Sequence, residues 1–422
     1  MTALSTHTHN EISPSESDPP LWRNLPFQTL WMGSAASSLG VSIAEVAYPL
    51  AILTLTGSPA KAGLFAAVLT IGMLAGALPG GQLADRHDRR AVVFAAESVR
   101  AGVTAVVAVG LIGGWLSLPL LLAAAAVLGI GQAVAGAARL PLVRTVVPDR
   151  QLTAALVQDE VRQNGAALAG PPLAGWLYAL QVISHAVPFL CTAASFAVSA
   201  LSAVVMPAGV QSSSGTPAPS APGARSDMLA GIRALWRAPV MRAAMLMIMI
   251  ANMTGVGLDL AVIVILRQQH YPSGTIGLAL GAGAIGGLAG APLVKVLHRL
   301  KPGILLLAMG LTCIPAFALL AIPLGPWWVA SLLFAAMLGV PAVRVLLDVL
   351  IVRQTPDEQR GRVVAAVMML ISLGMPVGMA GTGLLLQWLP AQAAMLILTG
   401  VLSLGVTYCA ASRPLRRASW PH

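Results

Sequence analysis

The chain has 422 residues, 57% hydrophobic and only 9% charged, with a formal charge of +10. Soluble domains carry about a quarter charged residues, so a surface this poor in charge must largely face lipid. The basic residues are scattered along the chain, and that spacing excludes the nucleic-acid surface the net charge would otherwise suggest.

Arginine outnumbers lysine 22 to three, and with the Ala, Gly and Leu bias this points to a GC-rich bacterial genome. The three cysteines all fall in apolar runs and read as packing residues. No cofactor motif, phosphate loop or metal-ligand spacing is present in the sequence.

Residues 1–26 form a polar tail with the pattern of neither a signal peptide nor a transit sequence. A spanning helix needs about 20 apolar residues. Twelve runs qualify: 30–55, 62–83, 91–111, 118–142, 165–182, 187–206, 243–266, 275–297, 304–324, 327–352, 363–389 and 393–410. The fifth is short and contains Pro171 and Pro172. The predicted fold is all-α and membrane-embedded, with six-helix bundles at 27–208 and 243–411. Between them, 209–242 reads as a Ser/Pro/Ala-rich linker followed by an amphipathic helix over 228–242 on the inner membrane face. A tail at 412–422 closes the chain.

Charge predicts the orientation. With the N-terminus inside, inner loops and tails hold 19 Lys/Arg, the outer loops hold Lys61 and Arg267, and four lie in spans. The positive-inside rule then places both termini in the cytoplasm, in a bacterial inner membrane. The halves also look duplicated: Gly72 and Gly81 have counterparts in Gly281 and Gly290, at an offset of 209. Paired six-helix halves around a midplane site are a transporter design.

The sharpest motif joins the second and third spans: Gly81-Gln-Leu-Ala-Asp85-Arg86-His-Asp88-Arg89-Arg90, with Gly72 upstream. It resembles the signature loop of the major facilitator superfamily, with Asp88 standing where the family usually has Gly. The segment Gly170-Pro171-Pro172-Leu-Ala-Gly175 is similar to a motif of the exporter-type members. The segment Pro356-Asp357-Glu358-Gln-Arg360-Gly361-Arg362 resembles the branch of enterobactin-type siderophore exporters and macrolide efflux proteins. The resemblance implies two pseudo-symmetric bundles around a central cavity lined by the first, fourth, seventh and tenth spans. An Arg typical of drug–proton antiporters is missing from the fourth span around 125–131.

Physically, a carboxylate at Asp85 can accept bonds from the start of the eleventh helix near Gly361, flanked by Arg360 and Arg362, and so latch the halves on the inner side. The bland alternative is a plain positive-inside turn. Gly170, Pro171, Pro172 and Gly175 read equally as a cavity seal or as ordinary close packing.

Charges at membrane depth cost about 2.5–3.5 kcal/mol on insertion scales and so tend to face a cavity or a partner. The candidates are Glu45, Glu97, Arg100, Arg139, Asp259, Arg344 and Asp348. Glu97 and Arg100 (i, i+3) read as an ion pair, as do Arg344 and Asp348 (i, i+4). Arg139 lies near the inner end of its span and reads as a surface residue. Glu45 and Asp259 have no local partner and hold matching places in the two repeats, which makes them the leading proton or substrate candidates.

The sequence thus points to a monomeric, proton-coupled exporter of an amphipathic small molecule working by alternating access. Importer and lipid flippase remain open on the same fold. A membrane-embedded enzyme is disfavoured, because the seven His lie mostly in tails and loops.

Overall fold

The computed structural model describes residues 20–180, 185–206, 239–294, 302–322, 324–345 and 357–412. Helices form the first bundle: α1 (Leu25–Thr56), α2 (Pro59–Arg86), α3 (Arg89–Gly113), α4 (Leu118–Val146), α5 (Asp149–Ala179) and α6 (Val187–Val205). The second bundle begins with α7, in two segments, Pro239–Val256 and Leu258–Gln268. It continues with α8 (Ser273–Gly290), α9 (Pro302–Leu319), α10 (Pro326–Met337, with helical residues on to Val345), α11 (Asp357–Trp388) and α12 (Ala391–Ala411).

Local chemistry sets the boundaries. The Asn24 side chain accepts the Phe27 N–H at 3.1 Å and starts α1, which stops at Gly57 with φ +63°. Ser58 accepts from Lys61 N–H to start α2. Connections as short as 57–58, 87–88 and 147–148 force consecutive helices to run antiparallel. The end where α1 begins is the basal face and the other is the distal face.

The packing is duplicated. α1 packs on α5 and α6, α2 on α4, and α3 on α6; six helices later, α7 packs on α11 and α12, α8 on α10, and α9 on α12. The halves meet along two seams, α2 with α11 and α5 with α8, which exchange under the same repeat.

Three details differ from the sequence reading. First, α5 starts at Asp149, far before 165, and its polar first half disguised it as a loop. Second, α7 breaks at Gly257, where Thr382 of α11 occupies the space a Cβ would need. Third, the repeat offset between α2 and α8 is 210, one more than expected. Gly76 and Gly80 pack against Ile130 and Val134 of α4, as Gly286 and Gly290 pack against Phe334 and Leu338 of α10. Gly81 faces open space, and one residue is about 100° around a helix, so it cannot be the counterpart of Gly290.

Residues 228–238 of the expected amphipathic helix lie outside the described residues, and from Pro239 the chain already belongs to α7. Asp348 also lies outside them. Arg360, Gly361 and Arg362 fall in the first turns of α11, but their side chains lie outside the described set.

Candidate functional site

Glu45 of α1 and Asp259 of α7 lie on helices that meet between the bundles. Both side chains are solvent-accessible, and they sit on helices that touch each other: Arg267 of α7 bonds the Leu50 carbonyl of α1. Both sit at helix irregularities. Pro49 lies inside α1 and has no N–H, so the Glu45 carbonyl four residues back loses its helical donor. Asp259 occupies the first turn of the second α7 segment, where free N–H groups carry partial positive charge and favour a carboxylate.

The distal side of this space is closed. Arg267 of α7 donates to the Leu50 carbonyl at 3.1 Å and to Thr54 Oγ1 at 2.9 Å on α1, and Thr54 Oγ1 lies 2.8 Å from the Tyr178 hydroxyl of α5. Ser58 Oγ donates to Gln387 Oε1 at 2.6 Å. Glycines bring the seams together: Gly63 of α2 abuts Gly383 of α11, and Gly175 of α5 abuts Gly277 of α8. Pro171 and Pro172 belong to the second contact. A Cβ on Gly277 would lie 2.2 Å from the Pro171 carbonyl oxygen, and one on Gly281 would lie 3.0 Å from the Pro172 ring. Gly170 lies against Ser42 of α1.

On the basal side Arg344 of α10 reaches Glu160 of α5 at 3.7 Å. Their side chains are 74% and 55% exposed, so this pair is solvated and contributes little. The expected partner of Arg344 was Asp348, which lies outside the described residues. Asp85 and Arg86 are exposed, and Asp85 makes no hydrogen bond or ion pair with another described residue. Arg89 is half-buried in the first turn of α3. Asp88 accounts for its own departure from Gly. Its φ of −57° needs no glycine, and its carboxylate caps α3 by accepting the Arg90 N–H at 3.0 Å. Hydrogen bonds and charge from Arg90 hold the Asp88 carboxyl below the usual carboxylate range. Arg90 also donates to the Met206 carbonyl and so ties this turn to the end of α6.

The first bundle holds a second polar cluster. Glu97 of α3 is fully buried and its Oε1 accepts from Arg100 at 3.0 Å. The same oxygen accepts from Arg139 of α4, so Arg139 is not the surface residue expected from its place near a helix end. Ser37 Oγ accepts from Arg100 at 3.2 Å and donates to Glu97 Oε1 at 3.1 Å, and the Arg100 guanidinium stacks 3.9 Å above the Phe196 ring. Arg162 of α5 pairs with Asp159 and donates to the Ser34 carbonyl and to Ser38 Oγ. Sequence reading missed Arg162 and Asp159, having placed them in an inner loop. The i, i+3 spacing of the two inside a capless polar stretch was the available signal.

A match to the family model described as Major Facilitator Superfamily covers residues 30–343 and 260–421. The chain belongs to the Major Facilitator Superfamily. It is therefore a transporter rather than an enzyme, and the two related helical bundles seen among the described residues are that superfamily's fold. Among its relatives, an uncharacterized MFS-type transporter, YfiS of Bacillus subtilis, is 24% identical over 90% of this chain and 91% of that protein. Macrolide efflux protein A of Streptococcus pyogenes is 27% identical over 38% of this chain and 39% of its own length. A point mutant of the nucleoside transporter NupG superposes with a TM-score of 0.74 at 14% identity, over 92% of this chain and 100% of that one. A bacterial homolog of the human lysosomal transporter Spinster, inward-facing and unoccupied, gives 0.74 at 15% identity, over 96% and 100%.

Proposed function

We propose that this superfamily member exports an amphipathic small molecule from the cytoplasm of a bacterium, as a monomer, in exchange for protons. The carrying observation is the Glu45–Asp259 pair. Two carboxylates at membrane depth on touching helices require compensation, either by a proton or by a cationic group of the substrate. A site that must exchange one for the other couples their movement in opposite directions.

The distal closure defines the state in this reading. With the basal face cytoplasmic, as the charge bias of the loops requires, the cavity faces inward and Asp85 is released from the α11 start. When the site faces outward, Asp85 engages that helix end beside Arg360 and Arg362, and the glycine seams part. Gly170, Pro171, Pro172 and Gly175 then act as the distal seal. The partial similarity to a macrolide efflux protein supports export of an amphipathic molecule.

The test is transport into everted vesicles under an imposed pH gradient, comparing wild type with Glu45→Gln and Asp259→Asn. Both variants should lose gradient-driven accumulation. Wild-type accumulation in both would make the acids structural, and accumulation in right-side-out vesicles alone would reverse the direction.

A further inference from the structure

Beside the central space, at the level of the inner halves of α1, α4 and α5, lies a cavity of about 200 Å³. Its walls include Ser37, Ser38, Ser42, Gln132, Arg100 and Arg139, and no carboxylate lines it. Glu97 holds both guanidinium groups through one oxygen. Two buried cations therefore share one anion, while Arg162 and Asp159 cancel each other close by.

Arg100 also donates to Ser37 and Arg139 to Ser199, but one donor on each guanidinium is left over. Arg100 is 2% exposed, and its Nε finds no partner; nor does the Nε of Arg139. Buried donors without acceptors are costly, and a buried unbalanced charge more so. Such a site is stabilised by an anion that enters it. Ser38, Ser42 and Glu45 follow one another at i, i+4 and i+7 on α1, so the cavity sits on the same helix face as the acid pair, about 10 Å along the helix from Ser38 to Glu45.

We propose that this cavity is a subsite for a monoanionic group of the transported molecule, a carboxylate, received by Arg100 and Arg139 with the serine hydroxyls. The proposal rests on the transport reading above. One unbalanced positive charge matches a carboxylate and leaves a phosphate dianion overcharged. A guanidinium pair also offers planar, forked donors suited to a carboxylate.

The experiment uses the full-length protein in lipid nanodiscs, with Cys191→Ser removing the exposed cysteine and Val41→Cys placing a thiol in the cavity wall. A neutral methanethiosulfonate labels the thiol in the presence of benzoate, benzylamine or inorganic phosphate at equal ionic strength. Benzoate at about ten times its dissociation constant should slow labelling about tenfold, in proportion to site occupancy. Benzylamine and phosphate should leave the rate unchanged. In a second variant, Gln132→Glu, a fixed carboxylate supplies the missing anion; it should abolish benzoate protection and raise the thermal unfolding midpoint. Labelling indifferent to benzoate, or slowed equally by benzylamine or phosphate, overturns the proposal. If protection is absent while gradient-driven transport persists, the subsite alone is wrong. If protection is present while the acid variants transport normally, the coupling reading is wrong and the anion site stands.

Discussion

Substituting Gly175 by alanine should drive the protein out of its distal-closed state. The added Cβ would lie 2.3 Å from the Ser273 carbonyl oxygen and 3.1 Å from Gly277 Cα, both backbone atoms that no rotamer change can move. Ordinary C···O contacts begin near 3.3 Å, so α5 and α8 must separate by about 1 Å. Overpacking of this kind costs about 1–3 kcal/mol. A cost borne by one conformation alone shifts a two-state equilibrium by about 5- to 150-fold. The shift is readable without a substrate: nitroxide labels at Lys61 on α2 and Gln392 on α12 report the distal separation of the halves by pulsed electron spin resonance. Gly175→Ala should add a longer-distance population, whereas Gly81→Ala, whose Cβ meets open space, should not. An unchanged distance distribution in a folded Gly175→Ala protein would refute the idea that the α5–α8 seam closes the distal face.

Asp85→Asn should leave the thermal unfolding midpoint nearly unchanged, since exposed positions free of special contacts move stability by about 0.5 kcal/mol or less, while transport falls and substrate binding persists; wild-type transport rates would reduce the motif to a topology signal. Glu97→Gln leaves two guanidinium groups buried against a neutral amide and should cost about 3–5 kcal/mol, seen as poor yield and a lowered unfolding midpoint. A neutral outcome there would mean that water or another anion already serves the arginines. Asp88→Ala removes the α3 cap and should cost about 1 kcal/mol at neutral pH. The folded carboxyl titrates below its unfolded value of about 4, so this contribution is full above that pH and is lost as pH falls through the folded value. Wild type and variant should therefore converge in stability in strong acid, and a constant gap down to low pH would contradict the capping role.

Where apolar length alone decides, the sequence was readable: among the described residues each of the twelve runs overlaps a helix. It failed where a helix serves two environments. The first half of α5 carries Asp159, Glu160, Arg162 and Gln163, which answer to the interior and the basal surface rather than to lipid, so a hydropathy window discards it. That loss hid Arg162 and Asp159. The α7 break was also invisible, because Gly257 is one glycine among 42 and Thr382, which occupies its missing side chain's place, is over a hundred residues away. Glu45 and Asp259 were legible as lone acids in apolar runs, and the fold adds that their helices, α1 and α7, touch each other. Arg139 was misjudged because depth along one helix does not reveal a partner on the next.

The glycine contacts are distributed unequally, and mechanical behaviour follows from that. Gly72, Gly76 and Gly80 recur every four residues and keep α2 against α4 over several turns, a long zipper that stiffens the bundle against shear. The seams between bundles also hold glycine crossings, Gly63 over Gly383 and Gly175 over Gly277, where backbone meets backbone. Polar ties around Arg267 and Ser58 add to these crossings at the distal end. The stiff glycine zipper within a bundle thus contrasts with the polar ties that join the two bundles at the distal end.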